Sequence, residues 1–468
     1  MFRLPGIFCL LATTLCFARP QGGQTTTIAA PGDRTPDGDH IDFPDQFAIG
    51  ETGSVFSAQL TSADVLGIFS RIKARETEIV RIGDTFTDAG TLTALDDALW
   101  MNSQGKVLVS GTTVDSNSVT HNALLSGTST ATMQTVALSD ETVPDGNGQF
   151  DNLVSATLNN RGDVAFWASI KNSQGVSPAN AVFIGHADGT ITQVARTGQT
   201  APGETNTFYS MGDPAPISLR GQVSFAAEIN DSQFGTGNNY GLYRSFAGGL
   251  LKLARSYSPA PNTPYLLGFL QVGGMNDNGV TCFYASLITS TGLFKGFGLF
   301  KSGNGADLAT IAYFGQNVPG GLGQYTGFDS VIDINNAGQT AYTGYFTGAT
   351  SSGAGIFLGD GVTQQPLVVT GQKTPDGSTF TSFGTSRVND LGLVLFLAQL
   401  DNGPGFNAIF VTNGIQTIRV AKVGDIVNGI QIASLGFDSS GLNNRNQVIY
   451  EAVDPTGATR ILSFTPKL

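Results

Sequence analysis

Cysteine, histidine, tryptophan and charge are all scarce in this chain, and each shortage excludes a class of chemistry. Only 3 Cys occur in 468 residues. Cys9 and Cys16 fall in the apolar stretch at the start, which leaves Cys282 as the one thiol of the remaining chain and excludes a disulfide framework. Stability must then come from a large core. The 3 His (His40, His121 and His186) lie far apart, there is no H-E-x-x-H motif, no G-x-S-x-G nucleophile turn, no phosphate loop and no paired-Cys motif. Trp100 and Trp167 are too few for the stacking platforms of a sugar- or quinone-dependent propeller enzyme. Charged residues make up 13% of the chain, against about 25% in an ordinary soluble domain. With 24 Lys and Arg against 36 Asp and Glu, the formal net charge of −12 argues against nucleic acid as a partner and favours a neutral or cationic one.

Long apolar runs are absent after the first residues. Met1–Ala18 (MFRLPGIFCLLATTLCFA) has a basic residue at Arg3, an apolar stretch from Leu4 to Phe17 and a small residue at Ala18, the pattern of a cleavable secretory signal. The remainder, 19–468, is expected to be one domain, monomeric, secreted or periplasmic, with no membrane insertion after signal cleavage.

What is abundant is glycine, 61 residues, set in a recurring pattern. An apolar residue is followed by N-x-x-G-x-V-x-F and a small residue, as in LNNRGDVAFWAS from Leu158, MNDNGVTCFYAS from Met275 and VNDLGLVLFLAQ from Val388. Weaker copies bring the count to eight, with Ser218 in place of Asn in one and Asn446 in place of Gly in another. The aromatic position falls at Phe56, Val109, Phe166, Phe225, Phe283, Tyr342, Phe396 and Tyr450, at intervals of 53 to 59 residues. The N-x-x-G element suits a tight hairpin in which Asn bonds back to the turn and Gly takes a positive φ. Val164, Phe166 and Ala168 alternate with Ala165 and Trp167, so both faces of that strand are apolar and both must be covered. Four short strands per unit, packed face to face around an axis, make an all-β, eight-bladed β-propeller of four-stranded antiparallel blades.

The last unit runs out after its third strand. TIAAPGD (Thr27 to Asp33) aligns with RVAKVGD (Arg419 to Asp425), so the N-terminal strand is expected to pair with the C-terminal blade and close the ring. Arg81, Arg196, Arg255 and Lys422 fall near the end of the outermost strand, where charge would protect an exposed edge. The units resemble the tandem N-x-x-G-x-V-A-F repeats of secreted bacterial proteins with variable C-terminal anchors, a family whose function is not established. The resemblance covers nearly all of 19–468 and implies fold and export but no active site; this chain shows no recognisable anchor at its C-terminal end.

Two signals point toward function. Asp45, Asp97, Asp213, Asp329 and Asp438 recur four to six places before the repeated Asn position. On an innermost strand they would gather near one mouth of the central channel and bind a cationic ligand. Ca²⁺ is the one cofactor such a set could take, where none is otherwise expected. The run DGDHID (Asp37 to Asp42) imitates a calcium loop without its full order. The second signal is that the loops between second and third strands vary in length while the N-x-x-G turn hardly does, which makes the variable-loop face the default binding surface. The leading expectation is a non-catalytic exported propeller that binds an extracellular protein or glycan. The alternatives are an extracellular polysaccharide hydrolase or lyase with Asp97 and Asp329 as acid and base, and a structural envelope or matrix protein.

Overall fold

The computed structural model of the chain describes residues 22–62, 65–73, 75–214, 216–231, 239–303, 307–348, 352–438 and 440–468, with the side chains of residues 97 and 98 outside that description. The expected leader, with Cys9 and Cys16, lies outside the described residues.

The architecture is an eight-bladed β-propeller. Blade one orders its strands Ile41–Ile49, Gly53–Leu60, Leu66–Ile72 and Arg75–Arg81 from the axis outward, each antiparallel to the next. Blades three, four, five and seven repeat that order, beginning at Gln149, Thr207, Leu266 and Phe380. Blade two adds a two-residue strand, Thr85–Phe86, on the axial side of Gly90–Met101. In blade six the innermost strand is broken into Gly323–Phe328 and Asp333–Ile334.

The eighth blade is built from both ends of the chain. Ser434–Gly436, Val448–Val453 and Thr459–Pro466 supply three strands, and Gly23–Ala29 supplies the outermost, with Thr27 opposite Leu462. The connection after this strand folds like those after the other outermost strands. Asp33 accepts a hydrogen bond from the Ala30 backbone N–H at 2.9 Å, as Asp84 does from Arg81 and Asp425 from Lys422. The recurrent G-D and G-Q endings therefore mark a turn in which a carboxylate or amide oxygen three residues on satisfies the last strand N–H. Arg71 of blade one holds the closing strand from the side, donating to the carbonyls of Thr27 at 3.2 Å and Ile28 at 2.7 Å.

The core is divided among the seams between blades. Val164, Phe166 and Ala168 pack with Leu108 and Leu124 of blade two, whereas Ala165 packs with Phe225 and Tyr243 of blade four. The alternation read from the sequence is thus two inter-blade cores served by one strand. At the closing seam Ile28 and Ala29 join Ile41, Phe56 and Phe69 of blade one. Within six blades the repeated aromatic stacks on an aromatic of the third strand, as in Phe166 on Phe183, with centroids 5.4 Å apart, and Phe396 on Phe410, 5.7 Å apart.

The Asn-x-x-Gly turn does more than turn the chain. Asn159 Oδ1 accepts from the N–H groups of Arg161 and Asp163, both at 2.9 Å, and Gly162 takes φ +92°. Its Nδ2, however, crosses the seam and donates to the Ser218 carbonyl of the next blade at 2.9 Å. Asn102 donates likewise to Asn159, Asn276 to Asn335, Asn335 to Asn389, Asn389 to Asn443, and Asn443 to Gly50 across the closing seam, at 2.9 to 3.0 Å. These Asn side chains are buried. The two remaining seams follow Ser218 and Gly50, which carry no amide. At Gly50 a Cβ would stand 2.8 Å from the Asn102 carbonyl, so this close approach requires glycine.

Candidate functional site

The chain direction fixes two faces. One carries the Asn-x-x-Gly turns and the tips between third and outermost strands. The other carries the variable loops and the connections that lead from one blade into the next. On the first face the residues following the repeated Asn, among them Asn160, Asp277, Asn336, Asp390 and Asn444, line a cavity of about 260 Å³ at the axis. Their side chains are mutually engaged: Asn336 Nδ2 donates to Asp277 at 3.0 Å and Asp390 at 2.8 Å, and Asn444 Nδ2 donates to Asp390 at 2.8 Å. This is a hydrogen-bonded seal joining blades.

The variable-loop face is held down by ion pairs that the sequence reading assigned to edge protection. Arg81 pairs with Asp37 at 2.7 Å, Arg196 with Asp145 at 3.0 Å, Arg255 with Glu204 at 2.7 Å, and Lys422 with Asp376 at 3.9 Å. Each acid lies in the connection leading into a blade, and each base lies on the outermost strand of that same blade. The charges thus clamp the connection across its blade, and the repeated P-D-G supplies the acid in three of the four. The Thr35 hydroxyl, ahead of Arg81, holds the Asp37 carboxyl below its ordinary range. Asp39 accepts from Ser62, in the loop between the second and third strands, and from the His40 N–H, so with Asp37 paired to Arg81 two carboxylates of the DGDHID run are engaged by protein donors.

Among the exposed large hydrophobic residues described, seven are aromatic, and six of them lie on the variable-loop face: Phe43, Tyr209, Phe269, Phe294, Tyr345 and Phe406. Only Phe246 lies at the opposite face, at a tip between third and outermost strands. Tyr209 and Phe269 are 54% and 42% exposed although both belong to innermost strands.

A groove of about 510 Å³ opens between blades four and five on this side. Its walls are the innermost strands Thr207–Pro214 and Leu266–Met275, which both bulge, at Met211/Pro214 and at Leu267/Leu270. Asp213, Glu228, Tyr240 and Phe269 line it. The rings of Tyr240 and Phe269 meet edge to face with centroids 5.0 Å apart. Glu228 stands opposite Tyr240 in the strand register, and burial, with Glu228 second, raises the Tyr240 hydroxyl above its usual range.

The five expected acids all fall on or just beyond innermost strands. Asp45 lies in the stretch where Ile41–Ile49 bulges, and Asp97 in the corresponding bulge of Gly90–Met101, its side chain outside the described residues. Asp213 belongs to the groove. Asp329 accepts from the Val331 N–H at 3.2 Å and faces Tyr284 and Tyr345, whose hydroxyls are raised by burial and then by its charge. Asp438 is exposed to solvent, although protein atoms crowd its carboxyl, which accepts from the Ser440 N–H at 2.7 Å. Desolvation raises its carboxyl, with Arg387 opposing and Glu451 reinforcing. Glu451 is itself raised by burial and then by Asp45. Among the described residues no group of three or more His, Cys, Asp and Glu is arranged to hold a metal ion. Cys282 is fully buried, and desolvation, followed by Asp333, pushes its thiol well above the ordinary range.

The raised carboxyls give a pH dependence with a definite sign. The folded state retains a proton on Asp438 at pH values where the unfolded chain, with a carboxyl near pKa 4, has lost it, so stability falls as pH rises through that window. Asp438→Asn removes the cost of a partly desolvated charge at an exposed position, a cost that solvent screening keeps small. Its Tm is expected to exceed the parent's by about 1 °C at most at pH 7.5 and to match it at pH 4. Thermal melts at both pH values check this; a variant less stable at pH 7.5 would show that the charge contributes favourably.

Residues Glu228, Tyr240 and Phe269 were not legible in the sequence. The one signal that bore on them was the long variable loop of the fourth unit, whose ends border this groove.

A family model described as a family of unknown function (DUF7453) matches residues 12–256 and 158–459. No curated protein matches the chain. Similar solved structures include the β-propeller domain of the Trilobed protease from Pyrococcus furiosus, with 8% identity over 82% of this chain and 98% of that one and a TM-score of 0.43. An acylaminoacyl peptidase from Pyrococcus horikoshii shows 8% identity over 84% of this chain and 55% of its own, at a TM-score of 0.41. The polysaccharide lyase Uly1 shows 10% identity over 86% of this chain and 100% of its own, at 0.39. The chain spans about 60% of a puromycin-hydrolyzing peptidase from Mycobacterium tuberculosis, at 10% identity and a TM-score of 0.42, and 93% of this chain is covered.

Proposed function

Because the chain belongs to the DUF7453 family of unknown function, we propose its role from its own geometry: it is an exported, non-catalytic propeller that binds an extracellular protein or glycan on the variable-loop face. The observation that carries this is the segregation of exposed aromatic rings, six of seven among the described residues on that one face. Exposed aromatics gathered on one surface mark a place where another molecule is to be covered. Ion-paired connections and bulged innermost strands give that face a rigid support. Export follows from the leader pattern of Met1–Ala18.

The test is a glycan array together with a peptide array of varied charge, probed with the parent protein, a Tyr209→Ser/Phe269→Ser variant and a Phe246→Ser variant. Binding by the parent is expected to drop at least tenfold in the first variant and to persist in the second. Equal binding by all three would refute the assignment of the face.

A second reading, a polysaccharide hydrolase or lyase, draws on the raised and neighbouring carboxyls of Asp438 and Glu451, with Asp45 beside them. Release of sugar products by the parent, abolished in Glu451→Gln, would replace the binding role with that one.

A further inference from the structure

We propose that the groove between blades four and five is a binding site for a neutral oligosaccharide. This names a ligand class for the binding role proposed for the variable-loop face and rests on that role.

The groove offers an aromatic surface that is already in place. Phe269 is exposed on the innermost strand of blade five, and its ring meets that of Tyr240 at 80° with centroids 5.0 Å apart. Tyr240 thus orders the Phe269 side chain before a ligand arrives, which reduces the entropy lost on binding. The electron-rich face of such a ring attracts the weakly positive C–H groups of a sugar. Met211, Pro214 and Leu270 extend the apolar wall.

The polar part of the lining sets the chemistry of what lies on that surface. Glu228 and Tyr240 each have a partner within the protein, so the groups left for a ligand are those of Ser210, Asp213 and Gln271. Asp213 and Gln271 are exposed and Ser210 is half-buried. None of these three side chains is hydrogen-bonded to a described residue. The Asp213 carboxylate can only accept, whereas the Ser210 hydroxyl and the Gln271 amide both donate and accept. Hydroxyl groups set beside C–H faces satisfy this combination, and they are the surface of a neutral sugar.

Other ligands fit less well. The lining contains no Lys, Arg or His, so a uronate, a sulfated sugar or an acidic peptide would meet Asp213 without a counter-charge, on a chain of net charge −12. A basic peptide would gain one exposed ion pair, which contributes little. A proline-rich segment would cover the rings, but its prolines bring no N–H to Asp213. The volume of about 510 Å³ lies within the range of roughly 300–1,000 Å³ usual for small-ligand sites, which suits a short oligosaccharide.

Fluorescence anisotropy tests this with labelled chitohexaose, cellohexaose and maltohexaose, set beside a labelled oligogalacturonate, a lysine–glycine peptide and a proline-rich peptide. At least one of the three neutral oligosaccharides is expected to bind, with an affinity that does not change as salt is raised, and the oligogalacturonate is expected not to bind. Phe269→Ala should weaken that binding at least about tenfold and Gln271→Ala about threefold. Asp213→Asn keeps an acceptor oxygen and should cost about twofold at most, whereas Asp213→Leu should cost about tenfold. Phe246→Ser, on the opposite face, should leave binding unchanged. Each substitution replaces an exposed side chain, and a parent-like melting curve confirms that the ring is intact. Failure of all three neutral oligosaccharides to bind, or binding that survives Phe269→Ala, overturns the inference. If a peptide binds instead and is lost in Phe269→Ala, the face is still the binding surface and only the glycan assignment fails. If no probe binds here and the array variants also behave alike, both readings fall.

Discussion

A chain that begins at residue 30 is expected to melt about 5 °C below one that begins at residue 19, and to aggregate on heating. The missing strand, Gly23–Ala29, lies antiparallel to Thr459–Pro466 through six residue pairs. It places Ile28 and Ala29 in the core between the last blade and the first. Losing those ladder bonds, at about 1 kcal/mol net each, and the burial of one Ile, about 1.5–3 kcal/mol, removes roughly 5 kcal/mol even after the entropy of ordering the strand is credited back. Arg71 would also lose both backbone carbonyls it now bonds. The exposed edge of Thr459–Pro466 would become a template for pairing between molecules. A synthetic peptide spanning residues 22–33, added in trans, should restore much of the melting temperature, because everything the strand contacts is already in place. Differential scanning calorimetry of the two chains, with and without peptide, decides the matter. An unchanged melting temperature would mean that the closing strand contributes little to the stability of the ring.

The number of blades and the closure were readable from residues because both rest on backbone demands that few residue types meet. Gly162 must take a positive φ, and Asp33 must cap a strand end as Asp425 does. What the sequence could not express is where a side chain reaches when its partner is a main-chain carbonyl. Asn159 was legible as a turn residue, but its Nδ2 ends on Ser218, 59 residues away. That separation equals the repeat interval, which in hindsight is the only trace of the bond in the sequence. Arg81 looked like edge protection because its partner Asp37 belongs to a connection 44 residues earlier. The groove shows the same limit. Asp213 stood out as a carboxylate at a recurrent position, whereas Phe269 sits in the apolar run LLGFLQVGG and gave no sign of facing water. It lies inside the bulge between Leu267 and Leu270 and is exposed together with Gln271, and periodicity alone does not locate bulges.

The hydrogen-bonded circle of Asn side chains leads to the second large effect. Asn389 makes four bonds from a buried side chain. Its Oδ1 accepts from Leu391 N–H at 3.1 Å and Leu393 N–H at 2.9 Å, and its Nδ2 donates to the Asn443 carbonyl at 2.9 Å and to Asn446 Oδ1 at 2.7 Å. Asn389→Ala leaves the N–H groups of Leu391 and Leu393 and the Oδ1 of Asn446 without these partners, at about 1–3 kcal/mol for each buried group left unmade, while the Asn443 carbonyl keeps only the Asn446 N–H at 3.2 Å. A loss of roughly 3–4 kcal/mol is expected, less than the sum because water reaches the turn tip, where Leu391 is exposed. Blade four shows which part of this loss a smaller side chain can recover. There Ser218 Oγ accepts from the N–H groups of Arg220 at 3.2 Å and Gln222 at 3.0 Å, doing the local half of the work with nothing to offer across the seam. Asn389→Ser should therefore fall between parent and Asn389→Ala, and the difference between Ser and parent isolates the inter-blade bond at about 1–2 kcal/mol. Urea titrations of the three proteins measure this order. If Asn389→Ser were as unstable as Asn389→Ala, the turn's own bonds would count for little and the seam for nearly everything. If Ser matched the parent, the circle of amides would be a consequence of close packing and not one of its supports.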